Sequence, residues 1–100
     1  MKIQFRTRKL QKQYADSSEA RKALGKEVAR KYIQRIQIIS KANSLDEIMK
    51  LPGLYCHPLK GDRKGQYAIK LTERMRLIFS LQGESLQILW VEEVSKHYGD

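Results

Sequence analysis

One hundred residues, 41% of them hydrophobic and including five Tyr, two Phe and one Trp, enclose one core and not two, which excludes general disorder and sets the expectation of a single domain over residues 1–100. Twenty Lys and Arg against eleven Asp and Glu leave a formal charge of +9, which points to a polyanion, nucleic acid first, as partner. A lone Cys56 excludes an internal disulfide, one Cys with two His does not make a metal site, and neither an export signal nor a run of about 20 apolar residues is present, so we expect a cytoplasmic protein without metal or other cofactor and with no membrane partner.

In chain order, Ile3 and Phe5 alternate with Lys2 and Gln4 as in a short strand. Leu10 and Tyr14, four apart among Arg8, Lys9, Gln11, Lys12 and Gln13, predict a short basic helix with a narrow apolar stripe. Asp16-Ser17-Ser18-Glu19 has the chemistry of a helix start: a short polar cap, then an acid in the first turn. One long helix is expected from there to about Ala42. Its buried stripe is Ala20, Leu24, Val28, Tyr32, Ile36 and Ile39, and its outer face is Arg21, Lys22, Lys26, Arg30, Lys31 and Arg35. Gly25 interrupts that pattern at a cost of roughly 1 kcal/mol relative to Ala, or marks a close contact.

Ser44-Leu45-Asp46-Glu47 is a capping-box pattern that opens another short helix, and Leu51-Pro52-Gly53 ends it. Sheet follows. Tyr67, Ile69 and Leu71 alternate with Gln66, Ala68 and Lys70, and Met75, Leu77, Phe79 and Leu81 alternate with Arg74, Arg76, Ile78 and Ser80. Thr72-Glu73 and Gln82-Gly83-Glu84 fall where hairpin turns belong, and Leu86 to Val91 is apolar on both faces, as an interior strand is. The architecture expected is α+β, with N-terminal helices packed on one face of a small, mostly antiparallel sheet.

Between His57 and Arg76 the chain places His57, Lys60, Arg63, Lys64, Lys70, Arg74 and Arg76 around two glycines, with only Asp62 and Glu73 to offset them. That composition suits a phosphate-bearing ligand. Arg76 alternates away from Met75, Leu77 and Phe79 and so should project from the face the helices leave uncovered. The end of the chain adds Lys96, His97 and Tyr98. The Lys60-Gly61-Asp62-Arg63-Lys64-Gly65 run lacks the spacing and the Lys-Ser/Thr ending of a P-loop, and read alone it is equally a solvated turn.

Leu51-Pro52-Gly53-Leu54, then His57-Pro58-Leu59-Lys60-Gly61-Asp62-Arg63-Lys64-Gly65, Tyr67-Ala68-Ile69, Arg74-Met75-Arg76-Leu77-Ile78-Phe79 and the terminal Val94-Ser95-Lys96-His97-Tyr98-Gly99 together resemble the HigB-type killer toxins of the RelE/ParE superfamily, from bacterial type II toxin–antitoxin systems. The resemblance implies a RelE-like fold and a toxin that cuts mRNA in the ribosomal A site. It further implies silencing by a HigA-like helix-turn-helix antitoxin. It assigns active-site positions to His57, Lys60 and Arg76, and a C-terminal catalytic segment to His97 and Tyr98. Arg63, Lys64, Lys70, Arg74 and Lys96 are the accompanying RNA-phosphate candidates, and Arg21, Lys22, Lys26, Arg30 and Lys31 are candidates for contact with ribosomal RNA.

Cleavage of RNA by its own 2′-hydroxyl needs a base for that oxygen, cationic donors for the crowded phosphate and an acid for the leaving 5′-oxygen, and it needs no metal. Arg76 and Lys60 suit the phosphate, His97 the acid, either His57 or Lys60 the base, and Tyr98 a stacking or orienting role. Two other readings are open: a ParE-like inhibitor of a topoisomerase without nuclease activity, and a non-catalytic nucleic-acid-binding module.

Overall fold

A computed structural model describes residues 1–96. In chain order the elements are β1 (Lys2–Phe5), α1 (Arg8–Ala15), α2 (Ser17–Leu24), α3 (Lys26–Ser40), α4 (Leu45–Lys50), β2 (His57–Pro58), a 3₁₀ turn (Gly61–Arg63), β3 (Gln66–Lys70), β4 (Met75–Gln82) and β5 (Ile88–Lys96). The five strands form one sheet in the order β1-β5-β4-β3-β2. All neighbours are antiparallel except β1, which runs parallel to β5. The α+β expectation therefore holds.

Local chemistry accounts for the helix starts. Thr7 accepts from the Leu10 amide, Asp16 from Ser18 and Glu19, and Ser44 from Glu47, so each side chain satisfies a backbone donor the helix itself leaves orphaned. Glu47 completes the last of these by accepting from the Asn43 amide at 2.7 Å. At the far end of α3, the Met1 ammonium donates to the carbonyls of Ser40 and Ala42 at 2.9 and 2.7 Å. A cation there satisfies last-turn carbonyls and complements the helix dipole.

The single long helix expected from Asp16 to Ala42 is two helices. Gly25 sits at φ 84° and ψ 163°, a conformation almost confined to glycine, and it caps α2 and opens α3. The break lets α2 pack against both α1 and α3. Periodicity could not reveal it, because the apolar step of four runs straight through the break.

Tyr32, Ile36 and Ile39 of α3, with Ile48 and Leu54, are packed on Ile69, Leu71, Leu77, Phe79, Leu89 and Val91 of the sheet. Leu10 and Tyr14 join this core as the stripe predicted, and the Tyr14 ring lies 5.6 Å from that of Phe5. Gln13, expected on the solvated side of α1, is buried at 5% exposure. The Tyr32 hydroxyl donates to the Leu10 carbonyl at 2.8 Å, and burial followed by the neighbouring Tyr14 holds its ionisation well above the usual phenol range. Two expectations change, one for the sheet and one for the outer face of the helix. Leu86 is not in β5 but in the turn before it, at φ 53° and half exposed, and Arg35 turns back to donate to the Lys70 carbonyl at 3.3 Å instead of facing water.

Substitution of Gly25 separates the two helix geometries by sign. A Cβ there would meet nothing within 4 Å, so its effect is purely conformational. Gly25→Ala would stabilise a continuous helix by roughly 1 kcal/mol. In the broken geometry it costs about 1–3 kcal/mol, and we expect a lower urea midpoint and melting temperature.

Cys56 gives a pH test of the core. Burial pushes its thiol from 9.0 up to about 12. Above pH 9.0 the unfolded chain releases this proton while the native state keeps it, so stability is complete below pH 9.0 and declines as pH rises towards about 12. Denaturation midpoints measured across that range should fall, and the component that sets in near pH 9.0 should be absent from Cys56→Ala.

Candidate functional site

The helices cover one face of the sheet, so strand alternation decides what the other face carries. On β4, Leu77 and Phe79 are fully buried in the core, which turns Arg76, Ile78 and Ser80 outwards. Their register partners extend the pattern. Lys70, Arg76 and Ser95 stand in one row across the sheet, His57, Ala68, Ile78 and Glu93 in the next, and Gln66, Ser80 and Trp90 in a third.

A cleft of about 650 Å³ opens on this face, lined by His57, Pro58, Leu59, Lys60, Arg63, Ala68, Arg76, Ile78, Ser95 and Lys96. Ala68 and Ile78, 1% and 3% exposed and outside the helical core, form an apolar floor. Four cationic side chains and an imidazole ring it, and among the described residues no carboxylate lines it. Sequence-distant segments thus converge through the sheet register: β2 supplies His57, the β2–β3 connection Lys60 and Arg63, β4 supplies Arg76, and the end of β5 supplies Lys96.

The individual groups differ in how they are held. His57 Nδ1 lies 3.0 Å from the Tyr55 carbonyl, an oxygen that can only accept, so Nδ1 is the donor of this pair, and Nε2 would be the accepting nitrogen whenever the ring is neutral. Tyr55 itself adopts φ 50°, a left-handed conformation, and is exposed. Arg76 Nη1 donates to the Thr72, Glu73 and Met75 carbonyls of the β3–β4 turn, which anchors the guanidinium by one corner. Arg63 Nη2 donates to Glu93 Oε1 at 2.7 Å.

Other candidates lie elsewhere. Lys70 pairs with Glu73 and stands 5.2 Å from the centre of the Tyr55 ring, outside the cleft lining. Lys64 is exposed in the turn. Arg74 lines a second groove of about 710 Å³ with Leu24, Glu27, Val28, Met75 and Lys96, where the β3–β4 turn meets the α2–α3 junction, so that Lys96 borders both this groove and the cleft. Arg21, Lys26 and Arg30 line a groove of about 370 Å³ between α2 and α3, floored by Ala29 and Ile33, with Lys22 exposed and Lys31 half-buried. His97 and Tyr98 lie outside the described residues. Among the described residues no cluster of three or more His, Cys, Asp or Glu is placed to hold a metal ion, and no helix is long and apolar enough to cross a membrane.

Sequence reasoning missed Glu92 and Glu93. A register shift between Ile78 and Phe79 makes Ile78 face Glu93 and Phe79 face Val91, so Glu92 has no opposite residue. Both acids end with open-face partners: Ser80 Oγ donates to Glu92 Oε2 at 2.6 Å, and Arg63 to Glu93. The only signal in the sequence was the charged pair itself, two successive acids in a strand whose alternation would bury one.

Known proteins share this architecture. The YoeB/ParE toxin from Agrobacterium tumefaciens superposes with a TM-score of 0.65 at 22% identity, over 98% of this chain and 100% of that one. YoeB in the YoeB–YefM complex from Staphylococcus aureus gives 0.64 at 15% identity over 98% of each chain. The toxin–antitoxin complex DinJ–YafQ from E. coli gives 0.59 at 20%, over 95% of this chain and 90% of that one. These likenesses establish the fold. A comparison with curated protein sequences finds no match. A family model matches residues 3–93, nearly the whole chain, and by it the protein belongs to the HigB-like toxins, RelE-like toxins of type II toxin–antitoxin systems.

Proposed function

We propose that this toxin is an endoribonuclease that cuts mRNA in the ribosomal A site, with the cleft on the uncovered sheet face as its active site. The observation that carries the reading is the gathering of His57, Lys60, Arg63, Arg76 and Lys96 over the Ala68–Ile78 floor, a surface that favours a phosphodiester and excludes no planar base. In the proposed reaction the 2′-oxygen attacks the adjacent phosphorus, the bond to the 5′-oxygen breaks, and a cyclic phosphate and a 5′-hydroxyl result. The 2′-proton goes to a base, and the leaving oxygen takes a proton from an acid.

The tautomer set by Tyr55 favours His57 as base through Nε2, with Lys60 as the other candidate. Lys60 and Arg76 would hold the charge that develops on the non-bridging oxygens, where fixed donors count most. His97 is proposed as acid and Tyr98 as the stacking or orienting ring. Arg63 and Lys96 would hold neighbouring phosphates. The exposed cations of α2 and α3, namely Arg21, Lys22, Lys26 and Arg30, with the half-buried Lys31, suit ribosomal RNA backbone, which would make association fall steeply with salt. A HigA-like helix-turn-helix antitoxin is the proposed silencing partner, a reading supported by family membership and by the structural neighbours that were solved as toxin–antitoxin complexes.

Arg76→Ala tests this directly. Single-turnover cleavage of mRNA on programmed ribosomes, with the naked message run beside it, should fall by about 10²–10³-fold. The variant also loses its donations to three turn carbonyls, so a stability loss of about 1 kcal/mol is expected and must be checked by thermal melting before rates are compared. A folded Arg76→Ala that cleaves at the wild-type rate removes Arg76 from the site, and a folded wild type that cuts neither message overturns the nuclease reading.

A further inference from the structure

Glu93 does not line the cleft, yet it is bound to a residue that does. Arg63 comes from the 3₁₀ turn between β2 and β3, and Glu93 from β5, so their 2.7 Å ion pair ties that turn to the sheet across β3 and β4. Both side chains are roughly two-fifths exposed, at 42% and 39%. An ion pair that open to water adds little to stability, so orientation is the effect left for it to exert.

Without a partner, a long arginine on a short exposed turn samples many rotamers, and each must be given up when a phosphate binds. A guanidinium has five donors in a rigid planar fork. With Nη2 engaged by Glu93, donors remain for a second anion. The bulge at Glu92 is what makes this available: without that extra residue the strand's alternation would not present Glu93 opposite Ile78, in the row that floors the cleft.

We infer that Glu93 is a positioning residue that holds Arg63 for a phosphate of the RNA other than the one being cut. The inference rests on the cleft being the RNA site. Its sign is informative, because removal of a carboxylate near RNA would by charge alone tighten binding, whereas loss of positioning weakens it.

The experiment measures kcat and KM for cleavage of a short synthetic mRNA, presented on ribosomes or free according to which the wild type cuts, with Glu93→Gln, Glu93→Asp, Arg63→Ala and the Arg63→Ala/Glu93→Gln double variant. Glu93→Gln should raise KM about tenfold with kcat within about twofold, the signature of lost uniform binding. Glu93→Asp should recover most of the loss, and the double variant should match Arg63→Ala alone. An unchanged or lower KM in Glu93→Gln, or additive effects in the double variant, would overturn the role. Should Arg63→Ala leave KM unchanged while Arg76→Ala still cripples cleavage, the positioning role falls and the proposed function stands. If Arg76→Ala cleaves normally as well, the reading of the cleft falls with it.

Discussion

A helical layer that covers only one face of a twisted sheet constrains everything else in this protein. Tyr32, Ile36 and Ile39 are wholly buried against Leu77, Phe79, Leu89 and Val91, and because side chains alternate along a strand, sealing those residues commits their neighbours to the opposite face. Arg76 projects from the uncovered face for this reason. A one-residue slip of β4 would place a guanidinium in the core and a phenylalanine in the cleft, so the packing of the hydrophobic face and the placement of the charged one are a single property of the register.

The cleft is basic because of where the acids are, as much as where the bases are. Asp62 is exposed in the 3₁₀ turn, Glu73 pairs with Lys70 at the β3–β4 turn, and Glu92 lies against Ser80 and Arg6. None of these carboxylates lines the cavity, which is left with cations, an imidazole and an apolar floor. Glu93 meets that set only through Arg63. Under the proposed function, a surface of this kind would suit the phosphates of a ligand that arrives as an extended single strand.

Most of the fold was legible from short-range chemistry. The caps at Asp16 and Ser44 were visible as residue types, and the alternation in β3 and β4 predicted which side chains would reach the core and which the open face. What escaped has particular causes. Gly25 breaks the helix at a point where the apolar period continues, so a pattern of four could not distinguish one helix from two in succession. Leu86 is apolar but occupies a left-handed turn position, which hydrophobicity does not encode. The bulge at Glu92 is a property of pairing between β4 and β5, and no local rule on either strand contains it. At the site, His57, Lys60 and Arg76 stood out as a dense basic stretch, while the exclusion of Lys70 and Arg74 from the cleft follows from a salt bridge and a turn that only the assembled sheet defines.

The central claim is that RNA engages the uncovered sheet face while the helical face serves other contacts. Photo-cross-linking of a thiouridine-labelled message to the toxin, with adducts mapped by peptide mass, tests it most directly. The account predicts adducts on the His57–Lys64 segment, on β4 around Arg76 and at Lys96. Adducts confined to α2 and α3, with the cleft residues unlabelled, would contradict it.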